Sequence, residues 1–201
     1  MDNWKKWHTH ALEMFKTHKA TLIQDSERYC IIDWRRSDGD GDYYINFIID
    51  KKRGSFIVSG DLGDSIATWY NPITVSSLKT YIYKNIDYYM SKFQCTSDKY
   101  FYDEDYVFDS LIGYLEEESI ENYIENSYKF DDFQEFEEEI RDQICNSIKG
   151  DEFVPTNELY EIVSDIDVDC FEYLYTCGAQ IKGRVYLWAI GFYMACEQLG
   201  L

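Results

Sequence analysis

The amino-acid sequence predicts an α+β fold, with an N-terminal helix, an antiparallel sheet of about four strands and then a mainly helical C-terminal half. Three observations support this class. Apolar residues recur at helical spacing in the first twenty residues, short segments rich in β-branched and aromatic residues follow up to residue 70, and helical periodicity returns after Pro72. At 201 residues the chain has the length of one domain. We therefore predict a single domain over 1–201, in which an acidic helical part (103–201) packs on a helix, the sheet and a long helix (1–102).

The first half begins with a helix, because Trp4, Trp7, Ala11 and Phe15 recur at steps of three and four residues. The segment 37–42 alternates aspartate with glycine, and the segment 51–54 consists of three basic residues and a glycine. Glycine and aspartate are typical of tight turns. Around these turns we predict strands over 20–24, 28–35, 43–50 and 55–59, with a further short one over 67–70. Alternation within the second strand predicts one face with Cys30, Ile32 and Trp34 and another with Ile31, Asp33 and Arg35.

The second half has the periodicity of helices. Thr74 is a plausible N-cap for a helix over 74–93, whose apolar stripe includes Leu78, Ile82 and Ile86. A short strand is predicted near 99–102, and further helices over 103–117, 131–149, 156–164, 170–180 and 184–199. The last of these is apolar nearly all round, so we expect it to be buried centrally.

Charge excludes several function classes. With 38 Asp and Glu against 19 Lys and Arg, the formal net charge is −19, which disfavours direct binding to nucleic acid or to an anionic membrane.

No run approaches the roughly 18 apolar residues of a membrane span, and the first twenty residues lack the apolar core of a signal peptide. The six cysteines contain no CxxC pair and are expected to be buried free thiols. These features predict a soluble protein of the cytoplasm.

The negative charge is concentrated in one window. Residues 103–152 hold 18 acids and three bases, a net charge of −15, and the rest of the chain has −4. Like charges at i and i+4, such as Glu135 and Glu139, cost a few tenths of a kcal/mol each, so the cluster is maintained against repulsion. It is interpreted either as a solvated face that keeps the protein soluble or as a surface that meets a basic groove of a partner. The carboxylates predicted to bind such a partner are Glu116, Glu117, Glu118, Glu121, Glu125, Asp131, Asp132, Glu135, Glu138, Glu139 and Asp142.

Aromatic residues are interleaved with these acids. They are Tyr102, Tyr106, Tyr114, Tyr123, Tyr128 and Phe130. Tyrosine is enriched at the energetic centres of interfaces, although several of these rings must belong to the core. Exposed aromatics could serve a homodimer as well as a foreign partner.

Motifs for catalysis or metal binding are weak. Asp38, Asp40 and Asp42 resemble half of a calcium loop, but the glycine and glutamate that an EF-hand needs at its sixth and twelfth positions are absent, so a hairpin tip is favoured. Asp61 and Asp64 could join them in an oxygen-ligand metal site only if the loops converge. The histidines, 8, 10 and 18, are all expected in the first helix with no zinc ligand set. No GxSxG or local cysteine nucleophile signature is present. We predict no catalytic residue, no metal and no cofactor.

Two stretches carry a resemblance. They are YCIIDWRR from Tyr29, and the run from Ile48 to Pro72, of which SGDLG from Ser59 is the most specific part. Across about residues 25–110 the chain resembles uncharacterised acidic proteins of phages and mobile elements of low-GC Gram-positive bacteria. Such small acidic phage proteins include inhibitors of host defence, among them anti-CRISPR proteins that occupy the nucleic-acid channel of a Cas effector. The resemblance supplies no catalytic residue.

Charge and resemblance together predict a phage-encoded, stoichiometric inhibitor in the host cytoplasm. Its acidic helical surface would block the basic nucleic-acid-binding cleft of a Cas effector or another defence nuclease, with no direct contact to nucleic acid or membrane. Three alternatives remain open at this level: a metal-dependent enzyme built on the Asp38–Asp64 loops, an immunity protein against a basic toxin nuclease, and a housekeeping domain whose acidic face serves solubility alone.

Overall fold

The computed structural model describes residues 2–94 and 99–201, and it confirms the α+β class. The chain forms two compact units, one of Met1–Ser97 with Gly183–Leu201 and one of Asp98–Lys182. The second unit is therefore an insertion between the sheet and the last helix. The single-domain prediction for 1–201 stays a prediction, whereas the last helix belongs with the sheet and not with the acidic part of the chain.

The first unit contains one antiparallel sheet in which each strand pairs with the next along the chain. A bulge between Leu22 and Gln24 shifts the register of the first pair. The elements are α1 (Asp2–Met14), β1 (His18–Asp25), β2 (Tyr29–Arg36), β3 (Ile45–Asp50), β4 (Ser55–Gly60), β5 (Ser65–Thr68), α2 (Val75–Lys84), α3 (Ile86–Ser91) and, from the end of the chain, α9 (Gly183–Leu199).

The two faces of the sheet differ as the alternation predicts. Cys30, Ile32 and Trp34 are completely buried on one face. Phe192 of α9 covers the same face, with its ring 5.3 Å from that of Phe47 and 5.0 Å from that of Phe56. The opposite face carries a cross-strand row of four half-buried or exposed isoleucines, Ile31, Ile48, Ile57 and Ile66. Helix α9 is buried on nearly every side, as its composition predicts.

Two details of the first unit differ from the sequence prediction. The helix expected over 74–93 is two helices, because the Asn85 side chain accepts a hydrogen bond from the Tyr88 amide and starts α3 anew. Thr74 caps α2 as expected, through a reciprocal pair of bonds with Ser77. His18 lies in β1 and not in the first helix. Its pKa is lowered, and burial of the imidazole is the main cause.

The second unit is mainly helical around a core of its own. The core includes Phe136, Ile140, Leu159 and Val163. Its elements are β6 (Tyr100–Phe101), α4 (Glu104–Tyr114), α5 (Glu117–Ser127), α6 (Phe133–Ser147), β7 (Ile148–Lys149), β8 (Glu152–Phe153), α7 (Asn157–Ile166), a 3-10 turn (Val168–Cys170), α8 (Phe171–Leu174) and β9 (Gln180–Ile181). The helix predicted over 170–180 is too long: α8 ends at Leu174, and a turn over 175–178 follows in which Gly178 has a φ of +65°.

The cysteine prediction holds in part. Cys30, Cys170, Cys177 and Cys196 are buried, and Cys145 is exposed on α6. Burial raises the pKa of Cys177 and of Cys196 to about 12, so these thiols are protonated at neutral pH. The sixth cysteine, Cys95, lies outside the described residues.

Two turn glycines give a matched test of the hairpins. Gly54 has a φ of +65°, and a Cβ atom there would lie 2.4 Å from the Asn71 carbonyl oxygen, whereas Gly39 has a φ of +86° and open space. Left-handed backbone alone costs alanine about 1–2 kcal/mol. We expect Gly39→Ala to lower the free energy of unfolding by about that amount and Gly54→Ala by at least about 3 kcal/mol, in urea denaturation. Equal losses would contradict the close approach at Gly54.

Candidate functional site: the acidic surface of the inserted unit

The charge of the protein follows the division into units. Asp98–Lys182 contains 25 acids and 5 bases, a net charge of −20, whereas the remaining residues contain 13 acids and 14 bases, a net charge of +1. The whole excess of negative charge therefore belongs to the inserted unit. The sequence window 103–152 underestimates this separation because its boundaries are not those of the unit.

The eleven predicted carboxylates lie on two helices and the loop between them. Glu116 precedes α5, four others lie on it, Asp131 and Asp132 precede α6, and the remaining four lie on α6. Ten of the eleven are exposed, and Glu139 is half-buried. The reason is the apolar stripe of each helix: Ile120 and Tyr123 of α5 and Phe136 and Ile140 of α6 face the core, so the acids face solvent. We call these eleven residues the acidic surface.

Three of the five cations of this unit pair with acids outside the acidic surface. Arg141 binds Asp105 at 3.0 Å and Glu137 at 3.1 Å, and these hydrogen bonds, first that to Glu137, raise its pKa. Lys129 lies 3.8 Å from Asp165, and Lys182 pairs with Asp151. Within residues 2–94 and 99–201, no carboxylate of the acidic surface has an ion-pair partner.

Some of these carboxylates also stabilise the helix that carries them. Asp132 caps α6 by accepting a hydrogen bond from the Glu135 amide at 3.0 Å, and Glu135 accepts one from the Asp131 amide at 2.7 Å. Glu138 and Asp142 accept hydrogen bonds from amide side chains one turn away. The side chain of Asp131 has no such role among the bonds found in the described part of the chain. Structural and free carboxylates are therefore mixed within the acidic surface.

A groove runs beside the acidic surface. It has a volume of about 640 Å³ and lies between the end of α4, α5 and the first residue of α6. Its apolar lining comprises Ile112, Leu115, Ile120, Ile124 and Phe133, and its polar lining comprises Glu117, Glu121 and Glu125. Sequence reasoning identified the three acids but missed the apolar residues. The signal available was that Ile120 and Ile124 repeat with the same four-residue step as the acids.

The predicted aromatics divide between core and surface. Tyr123 is buried, and Tyr102 and Phe130 pack against the core. Tyr106, Tyr114 and Tyr128 are exposed. Tyr128 ends α5 with a φ of +56° and is 94% exposed, so its ring lies in solvent at the edge of the acidic surface.

The aspartates of the sheet loops contact groups within or next to their own turns. Arg36 pairs with Asp38 at 2.6 Å and lies 3.5 Å from Asp40. Asp61 accepts a hydrogen bond from the Tyr43 amide at 2.8 Å, and Asp64 accepts one from the Gly60 amide. Among the residues that the structure describes, no three histidine, cysteine or acidic side chains converge to hold a metal ion. These aspartates act in turns.

Comparisons of the chain with protein-family models, with curated proteins and with solved structures find no match. The described helices include none with the length and apolar character needed to cross a membrane. The resemblance of residues 25–110 to phage proteins stays a prediction.

The two aspartates before α6 allow a carboxylate that caps the helix, Asp132, to be compared with one that does not, Asp131. Asp132→Ala removes the cap of α6 and should lower the free energy of unfolding by about 1 kcal/mol, whereas Asp131→Ala should change it by less than about 0.5 kcal/mol. Urea denaturation followed by far-UV circular dichroism measures both. A larger loss for the Asp131 variant would mean that the cap is assigned to the wrong residue.

Proposed function

We propose that the protein is a stoichiometric inhibitor that binds the basic nucleic-acid-binding cleft of a defence nuclease through its acidic surface. One observation carries this proposal: ten exposed carboxylates without cationic partners in the described chain lie on α5 and α6 or directly before them, in a unit with a net charge of −20. A face that served solubility alone would not need this concentration, because both signs of charge keep a protein in solution.

The physical basis is competition for the same cations. A nucleic-acid cleft binds phosphates through lysine and arginine, and much of its affinity comes from the release of counterions. Exposed carboxylates on a rigid helical surface present an alternative set of negative charges to those cations. An occupied cleft cannot admit its nucleic acid, so inhibition needs no catalytic residue.

The choice of a defence nuclease as target rests on the resemblance to phage proteins that include anti-CRISPR inhibitors. The electrostatic complementarity is the same for any partner with a basic nucleic-acid-binding cleft. An immunity protein against a basic toxin nuclease would use the same surface, and the identity of the partner distinguishes the two.

The target is found by capture from lysate of a Gram-positive host at about 0.05 M NaCl, elution at about 0.5 M and mass spectrometry. The purified candidate is then tested for binding and for cleavage of its nucleic-acid substrate as the protein is titrated. We expect inhibition that is complete near equimolar protein and that weakens steeply as salt increases. A partner that binds without losing cleavage would contradict the proposal.

Charge reversal then tests the surface itself. The triple variant Glu118→Lys, Glu138→Lys and Asp142→Lys changes three exposed carboxylates that cap no helix. Because three attractions become repulsions, we expect binding to weaken by about 100-fold in isothermal calorimetry.

The matched control reverses three exposed acids of the same unit outside the acidic surface, namely Glu152, Glu161 and Glu172. It changes the net charge by the same amount and should weaken binding by no more than about threefold. If both triples weaken binding equally, net charge and not the acidic surface determines the interaction.

A further inference from the structure

The groove beside α5 combines two features that a purely electrostatic surface does not need. Its lining includes Ile112, Ile124 and Phe133, which remain partly exposed, and Phe133 is 47% exposed at the start of α6. Exposed apolar side chains gathered in a concave site are typical of recognition sites. The groove therefore offers apolar contact in addition to charge.

The acids of the groove form a regular row. Glu117, Glu121 and Glu125 are four residues apart on α5, so successive carboxylates are displaced by about 6 Å along the helix. All three are exposed, and none has an ion-pair partner within the described residues. A ligand that matches this row carries positive charges at a similar spacing beside an apolar edge.

We infer that the groove binds an amphipathic helix of the partner, with aliphatic or aromatic side chains against Ile124 and Phe133 and with lysine or arginine facing the row of glutamates. A helix meets both requirements at once, since side chains three and four residues apart share a face and basic residues can flank an apolar stripe. A nucleic acid does not meet these requirements, because the glutamates of the groove would repel its phosphates. The inference rests on the proposed function for the choice of a protein partner and adds the element that the partner presents.

The test uses the full chain and three labelled peptides. The first is a helix-forming peptide of about 14 residues in which leucines recur at three- and four-residue steps and lysines fill the other positions. The second contains the same residues in an order without an amphipathic face, and the third is a lysine-only peptide. We expect fluorescence anisotropy to show that the amphipathic peptide binds at least about tenfold more tightly than the other two, and that its advantage persists at about 0.5 M NaCl.

Two variants locate the binding. Phe133→Ala should reduce the affinity for the amphipathic peptide by about tenfold and leave that for the lysine peptide unchanged. The matched control is Tyr175→Ala, which removes a ring of similar exposure, 51%, in the same unit but outside the groove lining. Thermal melting of each variant establishes that it is folded. Glu121→Gln should weaken binding of all three peptides, with a smaller effect of salt.

The outcomes separate this inference from the proposed function. If all three peptides bind alike and Phe133→Ala changes nothing, the groove inference is wrong, while charge-dependent inhibition by the acidic surface is unaffected. If the amphipathic peptide binds in the groove but the triple charge reversal leaves inhibition of the nuclease intact, the groove is confirmed and the proposed function is wrong. Equal losses for Phe133→Ala and Tyr175→Ala would also overturn the groove as the site.

Discussion

The apolar face of the sheet is the constraint on which the architecture depends. Trp34, Phe47 and Phe56 are completely buried on it, and the helix that lies against Phe47 and Phe56 is the last one in the chain. In the sequence, the unit Asp98–Lys182 therefore stands between the sheet and the helix that covers the sheet. An inserted unit of this kind needs a hydrophobic core of its own, and the buried residues of α4 to α7 supply it. Two cores allow the two units to differ in surface chemistry.

The units use their acids in different ways. In the first unit Asp50 binds Arg28 at 3.0 Å, and the hydrogen bond to that guanidinium is the main cause of the lowered pKa of Asp50. Asp25 and Asp38 also pair with cations. On α5 and α6 the exposed carboxylates have no such partners in the described residues, and their mutual repulsion is a small cost to each helix. The near-neutral first unit thus pairs many of its acids with its own cations. The acidic surface of the inserted unit presents carboxylates to solvent without such partners in the described residues.

Much of the fold follows from local patterns in the sequence. Alternation in β2 places Trp34 on the buried face, and the four-residue steps of α6 place its acids outside. Local patterns fail where one polar contact decides, as at Asn85, whose side chain restarts a helix that the apolar stripe alone would continue. They fail again at 170–180, where Gly178 has little room: a Cβ there would lie 2.4 Å from the Val107 Cα. The acidic surface could be predicted because charge resides in the sequence, but the groove depends on helices brought together by folding.

In the proposed complex, charge and groove would contribute to binding at different stages. Exposed carboxylates attract a basic partner over distances of about 10 Å at moderate salt, which accelerates encounter and selects partners by the sign of their charge. Each such pair adds little to the final affinity, because water and salt screen it. Burial of apolar side chains has a short range and mainly slows dissociation. A surface that combined Glu121 and Glu125 with Ile124 and Phe133 would therefore gain rapid association from the acids and long residence from the groove. Under the proposed function, that combination would account for the partly exposed apolar side chains beside the row of glutamates.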